Sequence, residues 1–190
     1  MKKIWYAPYK FESYGEKEIK AVEESLRSGW LGGQGPKSVE FEKAIAKRFG
    51  KKYGVFVNSG SSACLLSIAA LDLPTGSKII TPACTFATTL APIIQLGFTP
   101  VFVDVHLTSY CAIINDILSK IDDSVKAIML PNLIGNKPNW NELKLKLKSL
   151  RRDDIILIED SADTITKTDV TDVATTSFYA SHVITAGGVG

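Results

Sequence analysis

Short runs of apolar, largely β-branched residues recur along this chain, each followed by a turn and a stretch of helical spacing. GVFVN (54–58), KIIT (78–81), PVFVD (100–104), KAIML (126–130), IILIED (155–160) and ATTSFY (174–179) read as strands. Between them, SGSSACLLSIAAL (59–71) reads as a tight turn feeding a helix. Further helices are expected from about Thr85, over 115–121 and over 139–150. Uniformly apolar strands that alternate with helices imply a mostly parallel sheet covered on both faces, an α/β fold. Upstream, Ile19, Val22 and Leu26 form one stripe of a helix closed by Ser28-Gly29, and Trp30 to Pro36 is a glycine-rich linker. Pro36 opens a second helix with Phe41, Ile45 and Phe49 on one face and Gly50 as its left-handed stop.

Composition narrows the function classes. With 22 Lys and Arg against 20 Asp and Glu, the formal charge of +2 does not call for nucleic acid or an anionic membrane as partner. No apolar run approaches the roughly 18 residues of a membrane span, and positions 1–10 have no apolar signal core, so a cytoplasmic location is expected. Cys64, Cys84 and Cys111 are too widely spaced for a metal knuckle or a disulfide framework and read as buried free thiols.

Ligands of parallel sheets bind beyond the carboxyl ends of the strands. That rule singles out Asn58 to Ser62, Pro82 to Phe86, Asp104, Asn132, Asp160 and Ser177 to His182. The segment NSGSSA (58–63) ends a strand and opens a helix. Its backbone N–H groups and hydroxyls suit a phosphate group and equally suit an ordinary capped turn. It is neither G-x-G-x-x-G nor a P-loop. Asp160, at the tip of a central strand, can pair with the protonated ring nitrogen of a pyridine cofactor or can order a loop. Glu159 points to the other side of that strand, so the two form no carboxylate pair. His182 suits proton transfer near neutral pH, or orders its Ser- and Gly-rich loop. Phe86 can stack on a planar ring or pack in the core. His106 reads as structural, and no spacing argues for a metal.

Taken in order, WLGGQGPKSVEFEKAIAKRFG, NSGSSA, TPACTFATTLAPIIQLGFTPVFVDV, KAIMLPNLIGN, IEDSAD and SFYASHVITAGG resemble the sugar aminotransferases of the DegT/DnrJ/EryC1/StrS family. The resemblance covers nearly the whole chain. It implies the aspartate-aminotransferase fold (fold type I of PLP enzymes), with a three-layer α/β/α large domain over 36–190 after a helix and linker over 1–35. The family's small C-terminal domain is expected beyond Gly190. The resemblance also implies pyridoxal or pyridoxamine 5′-phosphate (PLP or PMP) as cofactor and a homodimer. By matching motifs, Gly60, Ser61 and Ser62 look like the phosphate cradle and Ser177 like the serine that reaches the same phosphate. Phe86 matches the aromatic that stacks on the pyridine ring, and Asp160 the carboxylate that pairs with its nitrogen.

At position 182 the family's aminotransferases have the lysine that attaches the cofactor covalently. Histidine has no primary amine to do so. This substitution, with NLIGN and SFYASHVITAGG, is similar to the B6-dependent sugar-nucleotide 3-dehydratases. That branch implies a GDP- or CDP-linked 4-keto-6-deoxyhexose as substrate and His182 as the catalytic base, in deoxysugar or lipopolysaccharide O-antigen biosynthesis. Glutamate regenerates the cofactor in the GDP-sugar type; a reductase partner and a C-terminal iron–sulfur cluster serve the CDP-sugar type. A sugar-nucleotide aminotransferase and an inactive or partner-dependent remnant are the alternatives, and little turnover is expected from these 190 residues alone. Cys64 stands where the family commonly has Asn, GGVG replaces the more familiar GEGG, and the connection from Asp160 to Ser177 lacks the usual Gly-rich stretch.

Overall fold

In the computed structural model, which describes residues 15–30, 32 and 34–186, the apolar runs assemble into one parallel sheet. Its strands are β1 (Lys78–Pro82), β2 (Thr99–Val103), β3 (Val125–Pro131), β4 (Ile156–Ser161) and β5 (Val173–Thr176). They lie in the order β2-β1-β3-β4-β5, and every neighbouring pair is parallel. The helices are α1 (Glu16–Arg27), α2 (Pro36–Phe49), α3 (Gly60–Ala69), α4 (Ala87–Gln95), α5 (Ile114–Ser119) and α6 (Trp140–Ser149), with a 3₁₀ turn at Leu133–Gly135.

Because successive strand residues face opposite ways, the sheet has two cores. On one face Ile80, Val103, Ile128, Leu130 and Leu157 pack against Ile117 of α5 and Trp140, Leu143 and Leu147 of α6. On the other, Ile79, Ala127, Met129 and Ile158 pack against Cys64 and Ile68 of α3 and Ile93 of α4. The result is a three-layer α/β/α arrangement. On β4 the same alternation sends Glu159 toward the α5–α6 layer and Asp160 toward the α3–α4 layer.

Local signals behave as expected for α2: Pro36 occupies its first turn, and Gly50 stops it at φ 71°. Three expectations need correction. The run GVFVN does not join the sheet. Its N–H at Phe56 is taken by Glu42 Oε1 at 2.8 Å, the Phe56 ring packs edge-on to Phe41, and Val55 is 79% exposed. β propensity alone makes no strand without a neighbouring ladder. The strand expected over 174–179 ends at Thr176. Of the three thiols only Cys64 is buried; Cys84 is exposed and Cys111 half-buried. The apolar stripe of α1 exists as a helix face, but Ile19, Val22 and Leu26 are all exposed and no residue of that helix is buried.

Candidate active site

The carboxyl ends of β1, β4 and β5 bring together most of the residues singled out above. Asp160 is only 9% exposed. Its register partners are Pro131 on β3 and Thr175 on β5. Thr89 of α4 donates its hydroxyl to Asp160 Oδ2 at 2.7 Å, Thr175 Oγ1 lies at 3.5 Å from Oδ1, and the Cys64 thiol faces the same carboxylate. Burial pushes the Asp160 carboxyl above its ordinary range, an effect the Thr89 hydrogen bond partly offsets. Burial, and then the Asp160 charge, push the Cys64 thiol up to about 12, so it stays protonated. Among the described residues, every side-chain donor around Asp160 is thus neutral. A buried carboxylate without a cation is costly, and a protonated pyridine nitrogen is the kind of partner that it lacks.

The phosphate-type site is built where α3 meets β5. Ser59 caps α3, accepting from Ser62 N at 3.1 Å and donating to Ser62 Oγ at 3.1 Å. A Cβ on Gly60 would come within 2.8 Å of Ser177 Cβ, so glycine is what lets the helix start against Ser177. Ser61 is exposed, Ser62 half-buried and Ser177 buried. Backbone N–H groups of a first helical turn, flanked by hydroxyls, favour an anion. Phe86 immediately precedes α4 and is 68% exposed, which removes the core-packing reading.

His182 lies in the turn after β5. Its backbone N–H donates to Tyr179 O at 3.0 Å, and the Tyr179 ring stands edge-on at 5.9 Å. Its Nδ1 is buried and has no hydrogen-bond partner among the described residues.

Asp104 and His106 serve a local hairpin. Asp104 N donates to Asp116 Oδ2 at 2.8 Å, and His106 exchanges backbone bonds with Cys111 and Tyr110.

On the opposite face Glu159 is fully buried and fully partnered. Asn132 Nδ2 and Thr168 Oγ1 donate to Oε1 at 2.6 and 2.9 Å, and Thr171 Oγ1 donates to Oε2 at 3.1 Å. Lys137 Nζ is 3.5 Å away. Lys51 Nζ donates to Thr168 O at 2.9 Å and to Thr171 O, and Lys137 Nζ donates to Thr166 Oγ1 at 2.8 Å. This polar knot ties down the β4–β5 connection where the glycine-rich stretch is missing. Asn132 was visible as a polar residue at a strand end. Glu159, Lys51, Lys137, Thr89 and Thr175 were not recognised as site-building residues, and Thr89, three positions after Phe86, had only that proximity to mark it.

The pattern of the DegT/DnrJ/EryC1/StrS aminotransferase family matches residues 12–190. The GDP-4-keto-6-deoxy-D-mannose 3-dehydratase of Escherichia coli O55:H7 is 35% identical over 195 residues, covering 95% of this chain and 49% of that protein. A spore coat polysaccharide biosynthesis protein of Bacillus subtilis is 30% identical over 196 residues, covering 100% of this chain and 49% of its own length. Among solved structures, a putative sugar aminotransferase of Streptococcus pneumoniae in its PLP form matches with a TM-score of 0.88 at 25% identity, over 98% of this chain and 52% of that one. An E. coli GDP-4-keto-6-deoxy-D-mannose-3-dehydratase with bound hydrated PLP matches with a TM-score of 0.80 at 34% identity, over 94% of this chain and 48% of that one. The chain spans about half the length of the curated relatives it matches. The architecture is that of the fold-type-I PLP enzymes, and with the family pattern running through it from before α1 to the last residue, the chain belongs to the DegT/DnrJ/EryC1/StrS aminotransferase family.

Proposed function

We propose that this chain forms the cofactor-binding part of a PMP- and PLP-dependent enzyme of nucleotide-sugar metabolism. Its reaction is loss of the C3 hydroxyl from a GDP- or CDP-linked 4-keto-6-deoxyhexose in deoxysugar biosynthesis. The observation that carries the reading is His182. Where an aminotransferase needs a lysine, the chain offers an imidazole whose buried Nδ1 has no partner among the described residues.

In this reading the residues divide the work. The start of α3 (Gly60, Ser61 and Ser62), with Ser177, holds the phosphate. Asp160 supplies the anion that keeps a ring nitrogen protonated, and Phe86 offers an exposed ring face. When bound, PMP supplies a primary amine for the ketone and an electron-accepting ring. His182 takes up the proton that must leave before the C3 hydroxyl can be expelled, the general-base role in which imidazole is the commonest side chain. Glutamate or a reductase restores the starting state, and a homodimer completes the site.

The family's aminotransferases supply the second reading, favoured by the likeness to the S. pneumoniae protein. It needs an available lysine amine. Lys51 and Lys137 are engaged with the β4–β5 connection on the Glu159 side, and Lys167 pairs with Asp169 at 2.8 Å.

Product analysis of the full-length protein with PMP, glutamate and a 4-keto-6-deoxy sugar nucleotide separates the two. A 3-deoxy product is expected; an amino sugar that keeps its C3 hydroxyl overturns the proposal. Replacing His182→Asn is expected to lower the rate ~10²–10⁴-fold while PMP binding, followed by fluorescence titration, is largely kept. Borohydride reduction in the presence of PLP is expected to leave no cofactor covalently attached.

A further inference from the structure

Asp160 is oriented by a chain of hydroxyls whose direction is fixed. Thr89 is completely buried in the first turn of α4, and its single hydroxyl proton goes to Asp160 Oδ2 at 2.7 Å. The next hydroxyl, Thr85 Oγ1, lies 2.9 Å from Thr89 Oγ1. Since Thr89 has no second proton to give, Thr85 must be the donor of that bond. The order is therefore Thr85 to Thr89 to Asp160, and Thr85 is the residue immediately before Phe86.

Two consequences follow. Oδ2 is engaged by a short bond, whereas the Thr175 Oγ1 approach to Oδ1 is long at 3.5 Å, and the Ala162 N–H and the Cys64 thiol complete the neutral donors around the carboxylate. The loop that carries Phe86 is also tethered through side chains to the carboxylate. The carboxylate and the aromatic sit on elements 71 positions apart in sequence at the Thr89 bond, and this relay is the link between them.

We propose that Thr89, with its proton direction set by Thr85, is a positioning residue for Asp160: it fixes Oδ2 and with it the orientation of the carboxylate toward a cationic N–H donor. The inference rests on the cofactor reading above and adds to it the residues that aim the anion. Thr89 touches neither substrate nor cofactor in this scheme; it acts through Asp160.

The test measures PMP affinity and the ¹⁵N chemical shift of PMP labelled at the pyridine nitrogen, which reports whether that nitrogen is protonated. In Thr89→Val, nearly isosteric but without the hydroxyl, PMP affinity is expected to fall about 10- to 100-fold, the scale of one hydrogen bond to a charged group. The ¹⁵N signal should move toward the neutral pyridine. Thr89→Ser is expected to restore both readouts. Thr85→Val, on a half-buried loop residue, is expected to move the ¹⁵N signal in the same direction by less; it supplies the measurement should Thr89→Val not fold. A folded Thr89→Val with wild-type affinity and ¹⁵N shift overturns the inference alone, as does a Thr89→Ser that behaves like the valine variant, or an unshifted Thr85→Val. Wild-type protein that fails to bind PMP overturns the cofactor reading and this inference with it.

Discussion

Glu159 and Asp160 are adjacent acids with opposite electrostatic situations. Glu159 accepts from three side chains beside an ammonium, whereas Asp160 is buried among neutral donors. Removing the Glu159 carboxylate by Glu159→Ala takes an acceptor from Asn132, Thr168 and Thr171 and the counter-charge from Lys137, and is expected to cost ~3 kcal/mol in urea unfolding. Asp160→Asn should do the reverse in the cofactor-free protein. Its folded carboxyl is raised above the unfolded value by burial, so between those two values the native state holds the extra proton. Stability then falls as pH rises through that window. The asparagine variant should therefore melt higher than wild type at pH 7, by about 2–4 °C for each ~1 kcal/mol relieved. The difference should vanish below the unfolded carboxyl value of about 3.9. An advantage that persists at pH 2–3 would contradict the assignment. Asp160 was legible in the sequence because it ends an apolar strand, and Gly60 because it opens a helix after one. Thr89 was not, since nothing local announces a partner 71 residues away.

Strands β1 to β4 were legible to within a residue at each end, whereas the run expected over 174–179 overshot β5 by three residues. GVFVN failed because strand identity depends on lateral pairing, which periodicity does not encode. The turn after β3 also escaped the sequence. Ile134 there adopts φ 56° and ψ 29°, is 70% exposed, and has its N–H held by Asp163 Oδ2 at 2.9 Å. A β-branched residue in this region is strained by roughly 1–2 kcal/mol, and it stays there because loops from two neighbouring strand ends are clamped together. Ile134→Gly removes the strain but adds unfolded-state entropy worth ~0.5–1 kcal/mol. A net stabilisation of ~0.5–1 kcal/mol is expected in the denaturant midpoint; a clear loss would show that the isoleucine side chain makes contacts that outweigh its backbone.

At the scale of the molecule, the order β2-β1-β3-β4-β5 puts the ladder formed by the chain's middle segment at the centre of the sheet. Strand β3 is paired on both sides and nearly all of it is buried, whereas β5 is a short strand bonded, among the described residues, to β4 alone. The candidate site straddles this gradient: Asp160 stands on a strand inside the sheet, while Ser177 and His182 stand past its rim. In hydrogen-exchange terms, amides of 125–131 should open only with global unfolding, and those of 53–59 and 178–186 through cheap local openings. An anion bridging the start of α3 to Ser177 would then couple rim to centre. Added PMP should slow exchange in 60–64 and 177–182 while leaving 125–131 unchanged, so occupancy could be read as a flattening of the protection profile.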